Sequence, residues 1–127
     1  MKKIIISTIA LVALVAIGTK LNVRADYTSF AGSAGYSAAK VSTANAKNNH
    51  EYLAGVNWTS SDHSGHKMWF RIRNSNNEER GNILINRPGN GVKYLEVTTR
   101  YGYNYWLYAN REHIINPSTY VQGTWQP

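Results

Sequence analysis

Residues 62–66 come closest, by type and spacing, to a chemical site. Asp62, His63 and His66 lie within five positions and are joined by Ser64 and Gly65. Imidazole nitrogens and a carboxylate are ligands that zinc and copper take in proteins. A structural site needs a fourth ligand, and the remaining candidates are scattered: His50, Glu112 and His113. Because turns select Asp, Ser and Gly, we predict a solvated loop. We assign no metal and no cofactor, and whether Asp62, His63 and His66 bind a metal stays open.

The same segment offers an acid–base pair but no nucleophile to act with it. His63 or His66, oriented by Asp62 or Glu112, would suit proton transfer. The chain has no cysteine, and no serine lies in a Gly-x-Ser-x-Gly setting. We therefore assign no catalytic residue and predict that the protein is not an enzyme.

A strand predicted over residues 67–73 carries the strongest candidate binding surface. Its apolar residues alternate with cationic ones and a tryptophan, which predicts one buried and one exposed face. The exposed set is Lys67, Trp69, Arg71 and Arg73. Alternate residues of a strand stand about 7 Å apart, so this row suits a polyanion such as teichoic acid, phospholipid headgroups, or a sugar ring stacked on Trp69. The alternative is a solvated face on which the Arg and Lys stems cover the indole. We predict Trp69, Arg71 and Arg73 as ligand-binding residues.

The densest aromatic stretch lies between residues 101 and 108. It contains Tyr101, Tyr103, Tyr105, Trp106 and Tyr108. A small β domain needs large side chains to fill its core, so part of this stretch is expected to be buried. Tyr101 and Tyr103 flank Gly102 at a loop tip and cannot all be buried. Exposed loop aromatics are typical of glycan and membrane-interface binding, although tyrosine also tolerates partial exposure without a function. We predict Tyr101 and Tyr103 as further ligand-binding residues.

The elements that position these residues are short strands. Past residue 26, β-branched and aromatic segments are separated about every 8 to 12 residues by Gly, Asn, Pro or Ser, which is typical of antiparallel all-β structure. The clearest strands are predicted over residues 67–73, 81–87, 92–100, 105–110 and 120–125. A further strand is predicted over residues 52–58, with one or two weaker ones near Phe30 and residues 35–43, and a loop over residues 45–49. The first two of the clearest strands form a hairpin, and Pro88 to Gly91 is the strongest turn signal.

Seven or eight short strands with one apolar face each imply two packed sheets. The predicted fold is therefore an antiparallel, jelly-roll-like β-sandwich. A small open barrel is the alternative.

The N-terminus has the pattern of an export signal. Lys2 and Lys3 precede a predominantly apolar run over residues 4–18, and Val23 to Ala25 forms a small-residue cleavage site. The apolar run has 15 residues, whereas an uncleaved membrane anchor needs about 20. We expect a signal peptide over residues 1–25, cleaved after Ala25, and a single secreted β domain over residues 26–127 with no transmembrane segment.

Cleavage changes how the charge is counted. The whole chain has 14 basic and 7 acidic residues and a net charge of +7. Four basic residues belong to the predicted signal: Lys2, Lys3, Lys20 and Arg24. The predicted mature chain then has ten basic and seven acidic residues. Its net charge of +3 gives little support to a nucleic acid partner. Without cysteine the secreted domain has no disulfide, so packing alone must stabilise it.

Four segments resemble an uncharacterised family of small secreted proteins from Gram-positive bacteria. They are Trp58 to Ser60, Met68 to Asn74, Tyr105 to Asn110 and Tyr120 to Trp125. The resemblance covers most of residues 26–127. It implies a signal peptide, a compact β domain and genes often near bacteriocin-type export systems, with no assigned activity. A looser resemblance is to bacteriocins of the lactococcin 972 type, although the predicted mature start at Asp26 lacks their Gly-x-Trp opening.

These observations favour a secreted, non-enzymatic β domain that acts at the bacterial envelope or on a partner protein. The expected ligand is a cell-wall polymer, a glycan or an anionic envelope surface, and no nucleic acid. The alternative is a bacteriocin-like or bacteriocin-associated antimicrobial effector.

Overall fold

The protein is an all-β structure, as predicted. A computed structural model describes residues 27–63, 65–113 and 118–127. The strands are β1 Thr28–Ala34, β2 Ala39–Lys40, β3 Asn45–Ala46, β4 Leu53–Ser61, β5 Met68–Arg73, β6 Glu79–Ile85, β7 Lys93–Glu96, β8 Asn104–Arg111 and β9 Thr119–Gln126. These three ranges contain no helix, and accordingly none that could cross a membrane. The predicted signal peptide over residues 1–25 lies outside the described residues.

The strands form two antiparallel sheets whose order is that of a jelly roll. One sheet has the order β1-β9-β4-β7 and the other the order β2-β8-β5-β6, with β3 also paired to β8. Successive strands thus cross repeatedly from one sheet to the other, as in two interleaved Greek keys. The predicted sandwich is confirmed. It has nine strands rather than seven or eight, because β2 and β3 are separate two-residue strands.

A cluster of three aromatic rings joins the sheets. Phe30 of β1 and Trp58 of β4 pack on Phe70 of β5, with ring centres 5.6 Å and 5.5 Å apart. All three side chains are at most 2% exposed. Since Phe30 and Trp58 belong to one sheet and Phe70 to the other, the core lies between the two sheets and their opposite faces meet solvent.

The prediction of a loop over residues 45–49 is wrong for its first two residues. Asn45 and Ala46 form β3, which pairs with Tyr105 and Asn104 of β8. Asn45 is buried, and its Nδ2 donates a hydrogen bond to the carbonyl oxygen of Trp125 at 3.1 Å. A polar residue that is satisfied by a partner 80 positions away has no local sequence signal.

The strand predicted over residues 92–100 is shorter than expected. Only Lys93–Glu96 pair in a sheet, and they pair with β4. Beyond them the backbone N–H of Val97 donates to the Tyr52 carbonyl and that of Thr98 to the Arg80 carbonyl, both at 2.9 Å. This segment therefore leaves the sheet and forms part of one end of the sandwich.

Candidate binding surface

The outer face of β5 has the composition that alternation predicts. Its inward residues are buried, whereas Trp69, Arg71 and Arg73 are partly exposed on the opposite side. The predicted hairpin between β5 and β6 is also confirmed, since these strands pair from Met68 with Ile85 to Arg73 with Glu79.

The sheet order places further aromatic and cationic side chains beside this row. On β8, Tyr108 pairs with Arg71 and Trp106 with Arg73. On β2, Lys40 pairs with Tyr108. Partners in an antiparallel pair share one face of the sheet, so three strands contribute to one surface. We call this surface the cationic face, and its residues are Lys40, Trp69, Arg71, Arg73, Trp106 and Tyr108.

Two of its cations lie over aromatic rings and have no acidic partner. The Arg73 guanidinium carbon is 4.7 Å from the centre of the Tyr108 ring. The Lys40 Nζ is 5.4 Å from the Trp106 ring and 5.9 Å from the Tyr108 ring. These distances allow cation–π attraction. Within the described part of the chain neither cation forms an ion pair, so both charges remain open to a ligand.

Arg71 differs because its guanidinium is already engaged. Its Nε donates to Asn110 Oδ1 at 2.8 Å, and its Nη1 donates to Glu79 Oε1 at 3.0 Å. It also lies over the Trp69 ring, 5.2 Å from the ring centre. Arg71 thus covers the indole and links β5 to both neighbouring strands, which is a positioning role for the cationic face.

Replacing Arg71 by alanine is expected to lower the free energy of unfolding by about 1–3 kcal/mol. Asn110 is only 8% exposed and would lose the partner of its side-chain oxygen. Urea unfolding followed by fluorescence measures the change. Arg73→Ala is the matched control, because the Arg73 guanidinium lies over the Tyr108 ring and donates a hydrogen bond to the exposed Asn77. Equal destabilisation by both substitutions would contradict a special role for Arg71.

Tyr101 and Tyr103 are both exposed, on a loop at one end of the sandwich. Gly102 between them has φ +87°, a conformation that favours glycine. The loop is held in place, because the backbone N–H of Arg100 donates to the Tyr105 hydroxyl at 2.7 Å. The Tyr101 ring stacks on His50 with ring centres 4.5 Å apart.

A groove of about 820 Å³ opens at the same end. Tyr103 and Trp106 both line it, and Trp106 also belongs to the cationic face. Trp106 therefore connects Tyr103, one of the two predicted loop tyrosines, with the predicted strand face on β5. Tyr101 does not line this groove.

The Asp62 segment is a loop, as predicted, and its carboxylate is used internally. Asp62 Oδ1 accepts the backbone N–H of Tyr120 at 2.8 Å and lies 2.9 Å from His63 Nδ1. The rings of His63 and His66 stack with centres 5.1 Å apart. Among the described residues, no three His, Asp or Glu side chains are grouped so as to hold a metal ion.

These contacts predict how stability depends on pH. The hydrogen bond from Tyr120, with a smaller contribution from His63, holds the pKa of Asp62 below its ordinary value of 3.8. A lowered pKa in the fold stabilises the protein above the unfolded pKa, and this is lost as pH falls through the folded pKa. Asp62→Asn keeps an acceptor but lacks the charge, so it should be less stable than the wild type at pH 7.

The stability gap should narrow as the pH falls below 3.8. Urea unfolding at pH 7, 5 and 3 measures this gap, and a gap that stays constant would contradict the prediction. The control is Glu96→Gln, since Glu96 is exposed and forms no ion pair in the described ranges.

Comparison with known protein families, curated proteins and solved structures found no match to the chain. The resemblance to a Gram-positive secreted family stays a prediction. Any functional proposal depends on the described residues themselves.

Sequence reasoning missed Lys40, Trp106 and Tyr108 as members of the cationic face. Alternation in residues 105–110 does place Trp106 and Tyr108 opposite Leu107 and Ala109. It does not indicate that β8 lies beside β5, which follows from the jelly-roll order. Lys40 lies in a two-residue strand whose surroundings are rich in Ala and Ser, so no strand signal marks it.

Proposed function

We propose that the protein is a secreted, non-enzymatic domain that binds an anionic polymer of the bacterial cell envelope through the cationic face. One observation carries this proposal. Lys40 and Arg73 lie beside the rings of Trp106 and Tyr108, and neither cation has a carboxylate partner in the described part of the chain. The proposal keeps the secreted location expected from the N-terminal sequence.

The two cations lie over one aromatic ring, which favours a polymer that combines anionic groups with sugar or polyol units. Lys40 lies on β2 and Arg73 on β5, with β8 between them. Their backbones are about 10 Å apart, which is two strand spacings, and their charged groups lie 5.9 Å and 4.7 Å from the centre of the Tyr108 ring. A chain that carries phosphates at intervals, with sugar or polyol units between them, can satisfy both cations and pack its apolar faces on the rings.

The two outer faces of the sandwich differ in composition, which supports a specialised surface. The outward positions of β1 and β9 carry no charge: Ser29, Ala31, Ser33, Tyr120, Gln122, Thr124 and Gln126. Cations lie instead on the cationic face, beside large rings. A ligand that carries negative charge would therefore be oriented toward one side of the molecule.

A sedimentation assay with cell walls tests the proposal. The purified protein is mixed with isolated Gram-positive walls, or with the same walls after chemical removal of their phosphate-linked polymers. Binding to intact walls should exceed binding to stripped walls by about tenfold or more, as expected for loss of charge-assisted contacts. It should also weaken with salt, because the screening length falls from about 10 Å at 0.1 M to about 3 Å at 1 M.

Equal binding to both wall preparations, or no binding to either, would contradict the proposal. Killing of the same strains by the added protein would instead favour the antimicrobial alternative.

A further inference from the structure

The groove at the end of the sandwich has two walls that are held by backbone hydrogen bonds. One wall is the loop between β5 and β6. Its Asn74 Oδ1 accepts the backbone N–H groups of Asn76 at 3.0 Å and Glu78 at 2.9 Å. The other wall is the segment after β7, where Val97 and Thr98 donate to the carbonyls of Tyr52 and Arg80. The groove is therefore formed before any ligand arrives, as is usual for small-molecule sites. We call it the terminal groove.

The lining combines aromatic rings, polar groups and uncompensated positive charge. Tyr52 is 77% and Tyr103 62% exposed, and they line the groove together with Trp106. Such rings offer flat apolar surfaces for a sugar ring. No carboxylate is found among its described lining residues. Arg100 also lines it and forms no ion pair in the described ranges, so the charge of the groove favours an anion.

We propose that the terminal groove binds a saccharide unit that carries a carboxylate or a phosphate. Arg100 pairs with the anionic group, and the aromatic rings pack on the sugar. The volume of about 820 Å³ lies within the range of about 300–1,000 Å³ usual for ligand pockets. The inference rests on the proposed function only in assigning this saccharide to the envelope polymer, since the groove and the cationic face share Trp106 alone.

Titration with free sugars, followed by two-dimensional NMR of the labelled protein, tests the groove separately from the polymer. The probes are glucuronic acid, glucose 6-phosphate and neutral glucose. The two anionic sugars should shift the backbone signals of Thr98, Thr99 and Asn104 and the indole N–H signal of Trp106. Their affinity should exceed that of glucose by about tenfold, the effect expected of one charge-assisted hydrogen bond.

Arg100→Ser should abolish the preference for the anionic sugars. Arg87→Ser is the matched control, because it removes an exposed arginine that does not line the groove.

Three results would each overturn the inference. They are shifts confined to the strands of the cationic face, no shifts at tens of millimolar sugar, and an anion preference that survives Arg100→Ser. If the protein still bound cell walls after such a result, only the binding of a saccharide in the terminal groove would be rejected. If the protein bound sugars in the groove but did not bind intact walls, the proposed function would be rejected and the groove would remain a saccharide site.

Discussion

Replacing Gly123 by alanine is expected to lower the free energy of unfolding by about 3 kcal/mol or more, the upper range for overpacking. Gly123 of β9 pairs with Phe30 of β1 and Trp58 of β4, next to a shift of register between Trp58 and Ser60. A Cβ built on Gly123 would overlap the carbonyl oxygen of Asn57 and lie 2.9 Å from Phe30 Cε2. Because the Asn57 oxygen that the new Cβ would overlap belongs to the backbone of a paired strand, no change of side-chain rotamer relieves the overlap.

Gly35→Ala is the matched control for this substitution. Among the described residues, a Cβ at Gly35 would meet only Ser118 Oγ, at the ordinary contact distance of 3.8 Å. Urea unfolding of both variants and the wild type measures the difference. Since native domains are stable by about 5–15 kcal/mol, Gly123→Ala should unfold at much lower urea than Gly35→Ala. Midpoints that agree closely would contradict the tight approach of β4 to β9.

The fold class was predictable because it depends on local patterns. Alternation in residues 67–73 separates an inner from an outer face without any knowledge of the neighbouring strands. Tight-turn residues mark the ends of the strands, and Gly89, Gly91 and Gly102 do adopt positive φ. An isolated glycine in a strand, such as Gly123, also indicates a close approach of backbone, although it does not identify the approaching strand.

The pairing of the strands was not predictable from the same patterns. Thr28 pairs with Trp125, and so distant a contact leaves no local trace in either segment. Surface charge is equally dependent on tertiary structure. Lys47 counts as a surface cation in the sequence, yet it is 1% exposed and its Nζ donates to the Pro127 carbonyl at 2.9 Å. Arg71 is likewise engaged by its neighbours, so two of the counted cations are not open to a ligand.

The dependence on tertiary structure also explains which residues of the cationic face could be predicted from the sequence. Trp69, Arg71 and Arg73 follow from one strand and its alternation. Within the cationic face, the cations that remain open to a ligand are Lys40 and Arg73, and they come together only because β8 lies between β2 and β5. Net charge therefore gives a poor estimate of binding here, since it does not distinguish paired from unpaired cations.

Replacing Lys40 and Arg73 together by serine is expected to reduce the affinity for intact cell walls by about 100-fold, if each cation makes one charge-assisted bond to the polymer. Neither residue contributes to the core, and neither forms an ion pair among the described residues. The unfolding free energy should therefore stay close to that of the wild type. Sedimentation of the variant with walls, in parallel with urea unfolding, separates lost binding from lost structure.

Arg87→Ser with Lys93→Ser is the matched control, because it removes the same charge from outside the cationic face. Arg87 is exposed and precedes β7, and Lys93 begins β7 in the other sheet. If attraction to the walls depended only on net charge, both double variants would lose affinity equally. Local binding by the cationic face instead requires that the control keep most of its affinity. Equal losses in the two variants would show that the position of Lys40 and Arg73 does not matter, and the cationic face would then have no specific role.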